Sequence, residues 1–307
     1  MKARRVLVVG GSGFLGRHIC RMAAATGYEV TTLSLHQRSN GNSNVSHLYA
    51  DIRDLNGLRQ VLRGRDFEYV VNCAGYIDHR PFREGGRDLI ASHFEGVQNL
   101  IEALNRTCLV RFVQIGSSDE YGPAPAPQRE DMREEAISPY SLAKLSTTHL
   151  LQMLWRTEEF PATILRLYLT YGPGQDSKRL LPQVIEGCLA NRSFPVSEGR
   201  QLRDFCYVED IAKGILEALT NSMTNGEVIN LASGEPTSVR AVIECIHELV
   251  GHGSPDYGKI AYRTGENMEL YANISKARRV LGWSPRTSLI QGLRLTIGSY
   301  RSRKNED

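Results

Sequence analysis

The chain has 307 residues, 41% of them hydrophobic and 23% charged, with a formal net charge of +3. That length holds one large domain, or a large domain with a smaller partner. Lys and Arg are scattered and often neighbour Asp or Glu, which argues against nucleic-acid binding, and no apolar run nears the roughly 18 residues that span a membrane.

The start, Met1 to Val9, is basic and then apolar. Its apolar run is too short for a leader and ends in glycines, so it reads as a first strand. Val6 to Val9 is a continuous β-branched and Leu run, the pattern of a strand buried on both faces of a parallel sheet. A helix is expected over 13–26 and a strand over 29–33. Strands follow at 69–72 and 111–115, with helical patterns around 55–62 and 88–104. Residues 139–157 read as a long helix and 162–167 as another strand. This alternation predicts an α/β fold, a Rossmann-type doubly wound parallel sheet. After Leu167, Gly and Pro interrupt shorter elements, beginning with Tyr171-Gly172-Pro173-Gly174. The expected organisation is a first domain over 1–167 with a return near 205–235, a smaller C-terminal lobe over 168–300 and a flexible tail over 301–307. The cysteines, Cys20, Cys73, Cys108, Cys188, Cys206 and Cys245, form no CxxC pair and no Cys/His cluster. They read as reduced thiols of a cytoplasmic protein without a metal site.

Gly10-Gly11-Ser12-Gly13-Phe14-Leu15-Gly16 directly follows the first strand and opens a helix. Gly10, Gly13 and Gly16 allow a tight turn and a close backbone approach to a pyrophosphate, whose charge suits the helix N-terminus. Further on, Tyr140-Ser141-Leu142-Ala143-Lys144 puts a phenol and an ammonium at i, i+4 on one helix face. A phenol titrates near 10, and a neighbouring cation favours its anion, which makes the pair a candidate acid–base catalyst.

The GxxGxxG spacing with these later motifs resembles the extended short-chain dehydrogenase/reductase family. The resemblance implies an NAD(P)-binding first domain and a substrate-binding second lobe. It makes Phe14 and Leu15 cofactor neighbours, Asp51-Ile52 an adenine-contacting pair, and Cys73-Ala74-Gly75 the strand end beneath the nicotinamide ribose. Tyr140 and Lys144 then become the catalytic pair, with Lys144 also on the ribose. In Ile115-Gly116-Ser117-Ser118-Asp119-Glu120-Tyr121-Gly122 the residue orienting the reacting oxygen is Ser117, with Ser118 the near alternative. An acidic residue usually ends the second strand and meets the ribose 2′-hydroxyl. Here the strand runs into Ser34-Leu35-His36-Gln37-Arg38. Ser34 and Arg38 would accommodate a 2′-phosphate, so NADPH/NADP+ is favoured over NAD+, which stays possible.

The second lobe is similar to nucleotide-sugar enzymes of that family. Arg166 to Gln175 resembles R-x-x-N-x-Y-G-P-G-Q, with Leu169 replacing the Asn that commonly contacts the diphosphate. Arg203-Asp204-Phe205-Cys206-Tyr207-Val208-Glu209-Asp210 resembles R-D-F-x-Y-V-x-D, and Arg263-Thr264-Gly265-Glu266 matches R-x-G-D/E. Arg203 and Arg263 are the implied diphosphate ligands, with Glu266 on a ribose hydroxyl. Asp78 and Asp119 join them as candidate substrate contacts. The implied partner is a nucleotide sugar. Extended relatives often dimerise through a four-helix bundle that includes the Tyr140–Lys144 helix, which implies a homodimer.

Three reactions compete: reduction of an NDP-4-keto-6-deoxyhexose, 4-epimerisation on bound NAD+, and 4,6-dehydration. Dehydratases usually carry Thr-Asp-Glu or Thr-Ser-Glu where this chain has Ser117-Ser118-Asp119. Gly-Ser-Ser-Asp-Glu-Tyr-Gly is closer to the string of GDP-4-keto-6-deoxymannose reductases, so the reductase is favoured. A non-catalytic NADP(H)-sensing scaffold is the remaining alternative, marked in relatives by loss of the Tyr or Lys that this chain keeps.

Overall fold

The computed structural model describes residues 4–36, 45–262 and 265–304. Arg38 and Arg263 lie outside the described residues. Seven parallel strands form the main sheet: β1 (Arg4–Val9), β2 (Tyr28–Ser34), β3 (Val45–Tyr49), β4 (Tyr69–Asn72), β5 (Arg111–Ser117), β6 (Ala162–Leu167) and, after an excursion described below, β10 (Val228–Leu231). Their spatial order is β10-β6-β5-β4-β1-β2-β3. The order reverses at β1, which has β2 on one side and β4 on the other. That reversal opens a crevice at the carboxyl ends of β1 and β4, the place where such sheets bind ligands.

The continuous apolar run of β1 serves two faces. Val6 and Val8 join one core with Ile19, Cys20 and Ala23 of α1 (Phe14–Ala25) and Ile211, Ile215 and Leu219 of a later helix, α7 (Val208–Thr220). Leu7 and Val9 join the opposite core, with Leu58 and Leu62 of α2 (Leu55–Leu62), Leu100 of α4 (Gly96–Ala103) and Leu151 of α5 (Pro139–Glu158). Each fully buried side chain of this kind contributes roughly 1.5–3 kcal/mol.

Between β6 and β10 run β7 (Leu169–Tyr171), α6 (Leu180–Leu189), β8 (Ser193–Pro195) and β9 (Leu202–Tyr207), followed by α7. After β10 come β11 (Pro236–Ser238), α8 (Val239–Val250), β12 (Ser254–Asp256), β13 (Glu269–Leu270) and α9 (Leu289–Lys304). A second, smaller sheet forms around β9, which pairs with β7, β11 and β13. Its core packs α6, α8 and α9 over Phe205 and Tyr207.

Three details depart from the sequence expectation. β3 was absent from the periodicity reading, because Val45–Tyr49 is a sheet-edge strand whose residues are all partly exposed. The helical stretch over 88–104 is not one regular helix. It begins as α3 (Gly86–Ile90) and passes through a π-helical turn at Ala91–Glu95 before α4. Finally, α9 continues through Lys304, into the stretch expected as a tail from Arg301.

Candidate active site

At the crevice, Gly10 has a left-handed φ of +82°, and a Cβ there would stand 2.8 Å from the Ala74 backbone nitrogen. The Gly10 N–H donates to Leu33 O at 2.8 Å and the Gly13 N–H to Gly10 O at 2.9 Å, which closes the turn. α1 then starts at Phe14 with no side-chain cap and no acidic residue in its first turn. Its first backbone N–H groups are therefore available to an anion. A turn that only glycine fits and an uncapped helix start together suit a dinucleotide pyrophosphate. Phe14 and Leu15 pack against the core that contains Tyr207 and Val208.

Ser34, buried at the end of β2, accepts a bond from the Ser12 N–H at 3.3 Å. Asp51 is clasped by the Arg53 guanidinium at 2.6 Å, which holds its carboxyl below the ordinary range. Ile52 is half-buried beside it, its carbonyl 3.2 Å from Asn99 Nδ2. Cys73 places its Sγ 3.1 Å from Val9 O, and burial pushes the thiol up to about 12, so it is inert. The Ala74 N–H donates to Asn72 Oδ1 at 3.2 Å. Gly75 has φ +117°, and a Cβ there would stand 2.1 Å from Cε1 of the His93 imidazole.

The placement of Tyr140 and Lys144 is set by the start of α5. Ser138 Oγ accepts from the Ser141 N–H at 3.1 Å, Ser141 Oγ accepts from the Ser138 N–H at 2.9 Å, and Pro139 opens the helix. This reciprocal cap fixes where the helix begins, and so where Tyr140 and Lys144 point. Both are buried, at 4% and 5% exposure. Lys144 Nζ donates to Ile115 O at 2.8 Å and lies 5.8 Å from the centre of the Tyr140 ring. Burial lowers the Lys144 ammonium to about 8.

Within the protein itself, burial outweighs the neighbouring cation at Tyr140; the expectation of a lowered phenol also counted the positive nicotinamide of an oxidised cofactor. Burial first, then the Asp119 carboxylate, raise the phenol above its ordinary value, against a hydrogen bond with Ser117 that lowers it. Both raising effects favour the protonated phenol.

Ser117 ends β5 and Ser118 opens a 3₁₀ turn, Ser118–Tyr121; both serines are buried. Ser117 Oγ accepts from the Asp119 N–H at 3.2 Å. Beneath this turn, Glu120 is wholly buried and accepts from the Ser117 N–H at 2.8 Å, Thr148 Oγ1 at 2.7 Å and Arg166 Nε at 2.9 Å. Arg166 also donates to Glu134 at 2.7 Å. Glu120 is therefore a strut of the turn, while Asp119 faces the site, 3.7 Å from His79 Nε2.

At the mouth, a cleft of about 430 Å³ is lined by Ile77, Asp78, His79, Arg80 and Arg179. Asp78 is held by Arg80 Nε at 2.6 Å. Further out, Arg203 and Glu266 are ion-paired with each other, and Arg203 also donates to Leu202 O at 2.8 Å. The sequence assigned these two residues to different parts of a ligand, and the fold joins them. Asp204 is buried and takes bonds from Ser233, Gly234 and Ala272.

Sequence reasoning missed His79, His93 and Arg179. None sits in a motif, and only the fold brings residues from three separate segments to one phenol. His93 meets the Tyr140 ring edge-on at 5.1 Å and His79 does so at 5.8 Å. No local sequence signal marks them, and the π-helical turn at Ala91–Glu95 that carries His93 shows only in the fold.

A doubly wound sheet with a glycine turn at its switch point and a Ser, Tyr and Lys cluster beside it defines a dinucleotide-dependent enzyme of the extended short-chain dehydrogenase/reductase type. Residues 6–232 match the NAD dependent epimerase/dehydratase family, and the chain belongs to that family. It is 31% identical over 307 residues to a putative UDP-glucose 4-epimerase of Methanocaldococcus jannaschii, covering 95% of this chain and 97% of the relative. The solved UDP-glucose 4-epimerase of Thermotoga maritima, with UDP-glucose, has a TM-score of 0.89 at 26% identity, covering 98% of this chain and 99% of that one. MoeE5 in complex with UDP-glucuronic acid and NAD has a TM-score of 0.87 at 27% identity, covering 97% and 99%. Among the described residues no helix is long and apolar enough to cross a membrane.

Proposed function

We propose that this chain reduces the C4 ketone of an NDP-4-keto-6-deoxyhexose, using NADPH ahead of NADH. In this reading it acts as a cytoplasmic homodimer. The reading rests on the placing of Tyr140, buried at the end of the crevice with the rings of His79 and His93 against it, where burial and the Asp119 and Glu120 carboxylates favour the protonated phenol. Reduction needs a proton donor at the ketone oxygen and little else from the protein.

A reduced nicotinamide, when bound, supplies the hydride. Tyr140 gives its proton to the ketone oxygen as the alcohol forms. Ser117 hydrogen-bonds that oxygen and stabilises its developing charge. Lys144 binds the ribose and offsets negative charge on the phenol. Gly10, Gly13 and Gly16 admit the pyrophosphate, while Arg203, Arg263 and Glu266 bind the nucleotide portion of the sugar nucleotide. Elimination of water would call for an acid and a base side by side. Dehydration stays a third reading, with Asp119 beside Ser118 as its candidate base, while Glu120 is committed to Arg166 and Thr148.

Epimerisation is the second reading, favoured by the printed activities of the M. jannaschii and T. maritima relatives. Denaturing freshly purified protein and identifying the dinucleotide it releases separates the two. Stoichiometric NAD+ would favour the epimerase. A protein that releases none, then binds NADPH more tightly than NADH, supports the reductase.

A further inference from the structure

A phenol is a useful acid only where its hydroxyl meets the reacting oxygen, and misplacement by about 1 Å can cost about a hundredfold in rate. The cap at the start of α5 fixes the backbone of Tyr140, but its ring still turns about two side-chain torsions. Ser117 and His79 both meet the phenol, yet the His79 side chain is 41% exposed and sits on the loop after β4. The other imidazole at the phenol, His93, is buried and anchored through both its backbone and its ring.

His93 lies in the π-helical turn Ala91–Glu95, a local departure from the regular helical ladder. Its carbonyl accepts from Thr147 Oγ1 at 2.6 Å, and Thr147 stands about two turns after Tyr140 on the same face of α5. Its Nε2–H donates to Tyr76 O at 2.8 Å. Its ring makes an angle of 87° with the Tyr140 ring at 5.1 Å between centres, the perpendicular contact that aromatic pairs favour. The imidazole also passes over Gly75, where a Cβ would come within 2.1 Å of Cε1. Burial, then the Lys144 charge, lowers His93 to about 3, so the ring stays neutral and its one N–H is committed to the Tyr76 carbonyl. A side chain with a ring alone would leave that carbonyl unpaired, and one with a donor alone would leave the phenol unsupported.

We propose that His93 is a positioning residue for the reaction: its ring holds the Tyr140 phenol in the orientation that meets the substrate oxygen, while its N–H fixes the Gly75–Tyr76 backbone that leads into the cleft at Ile77. The inference rests on Tyr140 as the acid of the proposed reduction and adds a residue that acts through it. No proton passes through His93.

The test separates the two contacts, using NADPH and a dTDP-4-keto-6-deoxyglucose probe. His93→Gln keeps a donor for Tyr76 O and removes the ring. Its kcat should fall about 10- to 100-fold, with KM for the sugar nucleotide within about threefold. His93→Phe puts a ring back beside Tyr140 but leaves the Tyr76 carbonyl without its donor. It should be the less stable of the two by denaturation midpoint and yet the faster, by at least about threefold in kcat. A side chain that only held the fold together would rank activity and stability in the same order. Carbon-13 relaxation of labelled tyrosine rings, with Tyr140 identified by its absence from Tyr140→Phe, should show a rigid ring in wild type and a mobile one in His93→Gln. A fall in kcat below about threefold in His93→Gln, activities ranked as the midpoints are, or an equally rigid Tyr140 ring in that variant would overturn the inference. A wild type that oxidises no NADPH with this probe counts against the reductase reading alone, and the ring relaxation then decides for or against His93.

Discussion

At the scale of single residues, the site turns on how burial treats a phenol and an ammonium four residues apart. Desolvation raises Tyr140 and lowers Lys144, so both lean towards their neutral forms. Removing the acid should cost most: Tyr140→Phe should lower kcat about 10²- to 10⁴-fold while dinucleotide affinity stays within a few-fold. Wild-type turnover in that variant contradicts the assignment. Lys144 makes a pH prediction. Its folded value, about 8, lies below its ordinary 10.5. The native state therefore binds fewer protons than the unfolded chain between those values, and stability from this residue rises with pH across that window. Its charge is lost over the same window, so kcat/KM should decline with a midpoint near 8, and a pH profile flat through that region would count against the role. At the other end of the dinucleotide, Arg38→Ala should weaken NADPH far more than NADH in a binding titration. Equal losses would remove Arg38 from the 2′-phosphate.

At the scale of elements, the glycine turn and the Tyr140–Lys144 helix were legible because each is encoded in its own local sequence. A turn that needs a positive φ requires Gly10, and an i, i+4 spacing puts two side chains on one face whatever surrounds them. The strut beneath the 3₁₀ turn was not legible. Glu120, Thr148, Arg166 and Glu134 come from four separate segments, and nothing near any one of them names the others. The pairing of Arg203 with Glu266 escaped for the same reason, since 63 residues separate them. The strut makes its own prediction. Arg166→Met leaves Glu120 as a buried charge without its partner, which should destabilise the fold by about 3–5 kcal/mol. The denaturation midpoint reads this, and a loss below about 1 kcal/mol would show that the pair holds nothing together.

At the scale of the whole molecule, the parallel sheet and its flanking helices followed from alternating strand and helix patterns, because strands buried on both faces read as unbroken apolar runs. The edge strand β3 broke that rule and left no apolar run to read, as its residues are half exposed. The sheet's reversal at β1 and the glycine turn behind it form the proposed dinucleotide end, while the loops after β4 and β5 and the start of α5 bring Asp78, Asp119, Ser117 and Tyr140 to the proposed substrate end. What joins the two ends is the direction of hydride flow. The most direct measurement follows that hydride: incubate the protein with NADPH deuterated at the transferring position and a 4-keto-6-deoxy sugar nucleotide, then weigh the product. The account predicts an alcohol carrying one deuterium, formed in step with NADPH oxidation. An isomerised sugar nucleotide without deuterium, and with NADPH untouched, would contradict it.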